Sequence, residues 1–348
     1  MRDEVGLVDD MRRGNRLALA RLLTLVENGA PAGIAALNAL FPDTGRAAHL
    51  IGVTGAPGAG KSSLVNQLAH YYRHPTTLET PDHARIVDPA PAPRRVAVVA
   101  VDPSSPFSGG AVLGDRVRMR DLAGDPGVFI RSMASRGALG GLAHTTAAVV
   151  QVLDAAGFDL ILIETVGAGQ DEVDIARLAH TTLVIEAPGG GDDIQSIKAG
   201  ILEIADILVI NKADRPGVEN TERILRAMLE MSPHTHPPYS AIGTPQSPLP
   251  NPPFWIPAIV RTVATLGTGI PDLAAAIAAH RAYLDQSGEK QRREDGRLQV
   301  QLEALLSDTL LARFRAHVSP SFYEATLLAL RQRQLSPHEA VQRLLDQA

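Results

Sequence analysis

Short, almost unbroken apolar runs recur through the middle of the chain. They are His49-Leu50-Ile51-Gly52-Val53-Thr54, Val96-Ala97-Val98-Val99-Ala100-Val101, Val128-Phe129-Ile130, Leu160-Ile161-Leu162-Ile163, Thr182-Leu183-Val184-Ile185 and Ile207-Leu208-Val209-Ile210. Runs of this length without polar alternation suit parallel strands covered on both faces. Between them, Ser63 to Tyr72, Leu142 to Ala156, Val173 to Leu178 and Ile194 to Glu203 carry helical patterning. Alternating strands and helices predict an α/β fold, a doubly wound and mostly parallel sheet. Ligands of such sheets bind beyond the carboxyl ends of the strands. Asp102, Glu164 and Asn211 each stand just past an apolar run, on that expected edge.

The flanks differ from the centre. Leu17, Leu19, Leu22, Leu23, Leu25 and Val26 alternate with Arg16, Arg21 and Glu27, which predicts a helix stopping near Gly29 and followed by a short helix over Ile34 to Leu40. From about Ile270 the tail reads as helical, with Leu298, Leu302 and Leu305 on one face and a capping box with Pro at the first helical position in Ser336-Pro337-His338-Glu339. Two Pro-rich stretches, near 74–95 and 233–257, read as exposed connectors. The expected organisation is a helical extension over 1–45, a central α/β domain over 46–284 and a helical arm over 285–348.

Composition narrows this picture only modestly. The 348 residues are 45% hydrophobic, enough for a large core, and the formal net charge of -5 lacks the basic footprint of a nucleic-acid binder. With no cysteine, disulfides, thiolate metal sites and cysteine nucleophiles are excluded. No apolar run reaches membrane-spanning length and the first residues make a poor signal or transit peptide, so a cytoplasmic chain with no membrane partner is expected.

Two short segments carry the chemistry. Gly55-Ala56-Pro57-Gly58-Ala59-Gly60-Lys61-Ser62 fits the G-x-x-x-x-G-K-[ST] phosphate loop, placed between a predicted strand and a predicted helix as that motif requires. Its glycines admit phosphate oxygens close to backbone N–H groups. Lys61 is the candidate for the β- and γ-phosphates, the Ser62 hydroxyl for Mg²⁺, and Ser63 continues the binding segment. Further along, Asn211-Lys212-Ala213-Asp214 can read guanine. The Asp214 carboxylate would accept from the N1–H and 2-amino groups that adenine lacks, and Asn211 would bond N7 or brace neighbouring loops. The Lys212 stem would lie over the ring, and Ala264-Thr265 is the candidate loop closing on the base. Asp102, Asp115 and Glu164 are the candidate metal and switch carboxylates, with Gly167 offering an N–H to the γ-phosphate. Gln170 stands three residues beyond that glycine, so no water-orienting role is assigned to it and slow intrinsic turnover is expected. The pair His234 and His236 reads as surface rather than metal-binding.

Together these segments resemble the MeaB/ArgK family of P-loop GTPases. The resemblance is carried by Gly55 to Ser63, Val101-Asp102-Pro103-Ser104-Ser105-Pro106-Phe107-Ser108-Gly109-Gly110, Gly114-Asp115-Arg116-Val117-Arg118-Met119, Arg131-Ser132-Met133, Glu164 to Gln170 and Asn211 to Asp214. It implies a GTPase fold whose C-terminal helices form a dimerisation arm. It also implies GTP/GDP and Mg²⁺ as ligands, and a homodimer that gates cofactor loading of an adenosylcobalamin-dependent acyl-CoA mutase, typically methylmalonyl-CoA mutase. A metal-insertion GTPase for a nickel enzyme and a transport-linked regulatory nucleotide-binding protein are the alternatives. The two Pro-rich stretches depart from the family pattern.

Overall fold

The computed structural model describes residues 2–44, 48–74, 93–103, 119–122, 124–135, 141–165, 170–189, 203–231 and 255–347. Its centre is a seven-stranded sheet in which every described pairing is parallel. The strands are β1 (His49–Gly55), β2 (Val96–Pro103), β3 (Val128–Ser135), β4 (Leu160–Thr165), β5 (Thr181–Glu186), β6 (Ile207–Asn211) and β7 (Ala258–Thr262), in the order β3-β2-β4-β1-β5-β6-β7. Because all run the same way, Gly55, Thr165, Glu186, Asn211 and Thr262 end on one edge.

Helices cover both faces, as a doubly wound sheet requires. Alternate residues of a strand point to opposite sides, and the core divides accordingly. On one face Ala97, Val99, Ile161 and Ile163 join Leu19, Leu22 and Leu23 of α2 (Arg16–Glu27) and Val149 and Leu153 of α5 (Gly141–Ala155). On the other, Ile51, Val53, Val96, Val98 and Leu162 join Leu64 and Leu68 of α4 (Lys61–Arg73) and Leu273 and Ile277 of α8 (Ile270–Ser287). Each fully buried aliphatic side chain contributes about 1.5–3 kcal/mol relative to exposure, so this two-sided burial is what holds the strands in register.

At the amino end, α1 (Arg2–Arg12), α2 and α3 (Pro31–Leu40) form the expected helical region. The Asn15 side chain accepts from the Leu17 and Ala18 N–H groups and so caps α2. These helices are part of the main body, since Val8, Met11 and Leu40 share its core. Beyond α8 come α9 (Glu289–His317), α10 (Pro320–Arg331) and α11 (Pro337–Leu345). Ser336 and Glu339 make the reciprocal capping box at the start of α11. The chain divides into two compact units at Asp295/Gly296, inside α9. An ion pair between Arg293 and Asp206 ties the first turns of α9 to the sheet.

Three elements escape the sequence patterning. α7 (Val218–Met231) is amphipathic, but its apolar positions stand among charged ones, and of its described side chains only Val218 and Leu225 are buried. α1 offers Val8 and Met11 amid charge. β7 is an edge strand whose residues are mostly half-exposed. The expected helix over Ile194 to Glu203 falls almost entirely outside the described residues, as do most of both Pro-rich stretches. Among the described residues no helix is long and apolar enough to cross a membrane.

Candidate nucleotide-binding site

The loop between β1 and α4 is shaped by two glycines. Gly55 ends β1 with φ +133, and a Cβ there would lie 2.0 Å from the Ile185 carbonyl oxygen of the paired strand β5. Gly60 enters α4 with φ +94, and a Cβ there would lie 2.5 Å from Asn211 Nδ2. At both places a Cβ would meet a neighbour, so the loop passes the ends of β5 and β6 as backbone alone. Gly60 caps α4 without any side-chain hydrogen bond. The start of a helix capped this way favours an anion.

Lys61 is buried at the root of the helix, and its Nζ donates to the carbonyls of Gly55 (2.8 Å) and Ala56 (3.0 Å). The ammonium is therefore folded back over the loop it would serve. Next to it, Ser62 Oγ donates to Glu164 Oε1 at 2.5 Å, linking α4 to the end of β4. Glu164 is buried beneath the loop, in register with Val53 of β1 and Ala100 of β2. A hydroxyl and a carboxylate held together below a phosphate loop make the oxygen donor set that a hard divalent cation takes. Thr165 Oγ1 donates to Thr54 Oγ1 at 3.1 Å, fixing the neighbouring strand ends.

The second segment lies directly against the first. Asn211 ends β6 and is buried, with Nδ2 donating to the Ala59 carbonyl at 2.8 Å. Its Oδ1 accepts from the Ala264 N–H at 3.1 Å and from Thr262 Oγ1 at 3.2 Å. Asn211 thus ties the Ala59 and Ala264 loops and the end of β7 together. Lys212 adopts a left-handed φ of +57 and sends Nζ 2.6 Å to the Gly58 carbonyl. Such backbone costs a residue with a side chain about 1–2 kcal/mol, and here the packing of the two loops against each other holds it. Asp214 is exposed on the turn that follows, and the Ala213 N–H donates to the Thr262 carbonyl at 3.0 Å. Thr265 is exposed beside the buried Ala264.

The switch residues are less fully seen. Asp102 lies on β2 opposite Ala134. Asp115, Gly167, His234 and His236 lie outside the described residues.

Comparison with known proteins decides the class. A family model described as "Methylmalonyl Co-A mutase-associated GTPase MeaB" matches residues 19–319. The chain belongs to the MeaB family. It is 35% identical to the GTPase ArgK of Escherichia coli over 99% of this chain and 98% of that protein. It is 32% identical to "Methylmalonic aciduria type A homolog, mitochondrial" of Mus musculus, over 77% of this chain and 58% of that protein. A crystal structure of a protein named "LAO/AO transport system kinase" superimposes with a TM-score of 0.61 at 26% identity, covering 99% of this chain and 96% of that one.

As a member of the MeaB family the chain is a P-loop GTPase that binds GTP and GDP and hydrolyses GTP. The site geometry suits that activity: a helix start with no side-chain cap, glycines where the loop passes closest to its neighbours, and a lysine folded over it. Sequence reasoning named these residues but not the contacts among them. The Lys212–Gly58 and Asn211–Ala59 bonds join segments about 150 positions apart, which no local pattern reports.

Proposed function

We propose that this MeaB-family GTPase is a nucleotide-switched chaperone of an adenosylcobalamin-dependent acyl-CoA mutase, with methylmalonyl-CoA mutase as the foremost client. The observation that carries the reading is the match of residues 19–319 to a family described by its association with that mutase. The name of the mouse relative supports it. In this reading Gly55 to Ser63 hold the phosphates, Lys61 neutralises the β- and γ-phosphate charge, and Asp214 selects guanine while Asn211 and Lys212 hold the loops in place. Ala264 and Thr265 close on the base. Ser62 and Glu164, with Asp102 and Asp115, are the residues to hold Mg²⁺, which when bound offsets charge building up on the phosphate oxygens.

The switch follows from charge. A γ-phosphate present or absent changes which arrangement of the loops near Asp102, Asp115 and Gly167 is favoured, and the client grips one arrangement. The chain would work as a cytoplasmic homodimer. Exposed Leu298, Leu302 and Leu305 along α9, with fractional exposures of 40%, 65% and 41%, support an interface in the arm.

The LAO/AO transport system kinase, as a structural relative, favours a second reading, a transport-linked kinase. One experiment separates the two. The purified chain is incubated with GTP, with and without a purified mutase, and both free phosphate and protein-bound phosphate are followed. The chaperone reading expects free phosphate, released faster when the mutase is present, and a complex that survives size-exclusion chromatography. Phosphate transferred to a protein acceptor, or release indifferent to the mutase and no complex, overturns it.

A further inference from the structure

At the opposite edge of the sheet from the nucleotide loop, a buried polar cluster joins five elements. The Thr181 hydroxyl, at the start of β5, lies between two imidazoles: His49 Nε2 of β1 at 2.7 Å and His280 Nδ1 of α8 at 2.8 Å. His280 is completely buried, and its Nε2 lies 3.2 Å from Asp206 Oδ1. Asp206, just before β6, also accepts from the Thr182 N–H at 2.8 Å. Arg293, in the second turn of α9, closes the cluster with a fork: Nη2 reaches Asp206 Oδ1 at 2.8 Å and Nη1 reaches Oδ2 at 2.9 Å. Nη1 also donates to the His180 carbonyl at 2.7 Å. The Trp255 indole N–H caps the Asp206 carbonyl at 2.8 Å and its ring lies 4.7 Å from that of His280.

Tying down one turn of a surface helix does not require so much buried charge. Burial alone would push the Asp206 carboxyl up, but the Arg293 guanidinium and the His280 ring outweigh it and hold the carboxyl well below its ordinary range. The pair is therefore ionic, and a buried ion pair is seldom worth its desolvation as plain packing. Its better-attested use is to fix one arrangement among alternatives.

The position of α8 gives that arrangement something to report. α8 begins at Ile270, immediately after the loop whose Ala264 N–H bonds Asn211. Its buried stripe Ile270, Leu273, Ala274, Ile277 and His280 runs from that loop to the cluster. The ten helical steps from Ile270 to His280 span about 15 Å of rigid helix. Packed helices of this kind shift as units rather than bend. β1, β5 and β6 span the same two edges, with His49, Thr181 and Asp206 at or just before one end and Gly55, Glu186 and Asn211 at the other.

We propose that His280, Asp206 and Arg293 form a latch by which guanine-nucleotide occupancy at the Ala264 loop sets how firmly the root of the C-terminal helical arm is held to the sheet. α8 is the connecting rod, and Arg293 is a positioning residue that touches no nucleotide. The latch itself lies within the first compact unit, and α9 continues from it into the second. The inference rests on the nucleotide-binding reading of the loops.

Hydrogen–deuterium exchange on the full chain tests it, with no nucleotide, with GDP and with a non-hydrolysable GTP analogue. Binding of each nucleotide is measured in the same samples. The latch expects protection of residues 289–300 to differ between the nucleotide-free state and both nucleotide-bound states. In Arg293→Gln that difference vanishes while both nucleotides still bind. By reciprocity the variant's affinity for both guanine nucleotides then shifts by about fivefold or more. A wild-type chain that binds both nucleotides with protection at 289–300 unchanged from the nucleotide-free state overturns the latch and leaves the nucleotide site intact. So does an Arg293→Gln chain that binds guanine nucleotide with the wild-type affinity. A wild-type chain that binds neither nucleotide overturns the latch and the site together. The wild-type comparison needs no variant, so the test stands even if Arg293→Gln does not fold.

Discussion

Ser62 Oγ and Glu164 Oε1 stand 2.5 Å apart, joining the first turn of the phosphate-loop helix to the end of the neighbouring strand. The hydroxyl donates to a carboxylate that burial would otherwise make costly. A divalent cation offers that carboxylate a stronger partner of the same hard-oxygen preference. The contact therefore marks where the metal is expected to enter.

Glu164→Gln keeps the shape and removes the charge. It is expected to lower Mg²⁺-dependent phosphate release by about 10–100-fold, the range for groups that orient a bound metal. GDP binding in the absence of Mg²⁺ should change little. Phosphate release titrated against Mg²⁺ concentration checks this, and an unaltered Mg²⁺ dependence would place the metal elsewhere.

Gly60 and Gly58 offer a paired comparison. Both have positive φ, +94 and +77, so alanine at either place carries the left-handed penalty of about 1–2 kcal/mol. Only at Gly60 would the new Cβ collide, 2.5 Å from Asn211 Nδ2, whereas nothing lies within 4 Å at Gly58. Gly60→Ala is thus expected to destabilise the nucleotide-free chain by more than Gly58→Ala does. Denaturant unfolding of the two variants side by side measures the difference, and equal losses would mean that Asn211 moves aside freely.

The pH dependence of stability should carry the signature of His49. Burial, helped by His180 and Arg281, lowers its pKa well below the ordinary 6.5. In the unfolded chain the ring protonates as pH falls past that value, while in the folded chain it resists. The unfolded state then binds more protons, so this contribution is fully present above about pH 6.5 and is lost as pH falls toward the folded pKa, at up to about 1.4 kcal/mol per pH unit. Thermal unfolding between pH 7 and 5 should show a shallower decline for His49→Gln than for the wild type. Parallel curves would assign the decline to other groups.

Much of the fold is legible in the sequence because parallel strands buried on both faces leave unmistakable runs. Val96 to Val101 and Ile207 to Ile210 read as strands and are strands, β2 and β6. β7 is not legible, since an edge strand buries too few side chains to leave a period, whereas the helical period of α7 is present in Val218, Leu225, Met228 and Leu229. At the site, the loop of Gly55 to Ser62 and the segment Asn211 to Asp214 are local in sequence and could be named from spacing. What joins them is not local. The Asn211 amide spans Ala59 and Ala264, and only the sheet order brings those backbones together. The cluster of His49, Thr181, Asp206, His280 and Arg293 has no motif at all, for its members are scattered singly over five elements.

The central claim is that a guanine nucleotide sits on the Gly55–Ser63 loop and is read by Asp214. Competitive binding of GTP, ATP and XTP to the full chain and to Asp214→Asn tests it most directly. The expected result is a preference of the wild type for GTP over ATP by about a hundredfold or more, as for a site that loses hydrogen-bond partners with the wrong base. In Asp214→Asn the preference should move toward XTP, whose 2-oxo group accepts where guanine donates. Equal affinity of the wild-type chain for ATP and GTP, or GTP selectivity unchanged by Asp214→Asn, would contradict the account.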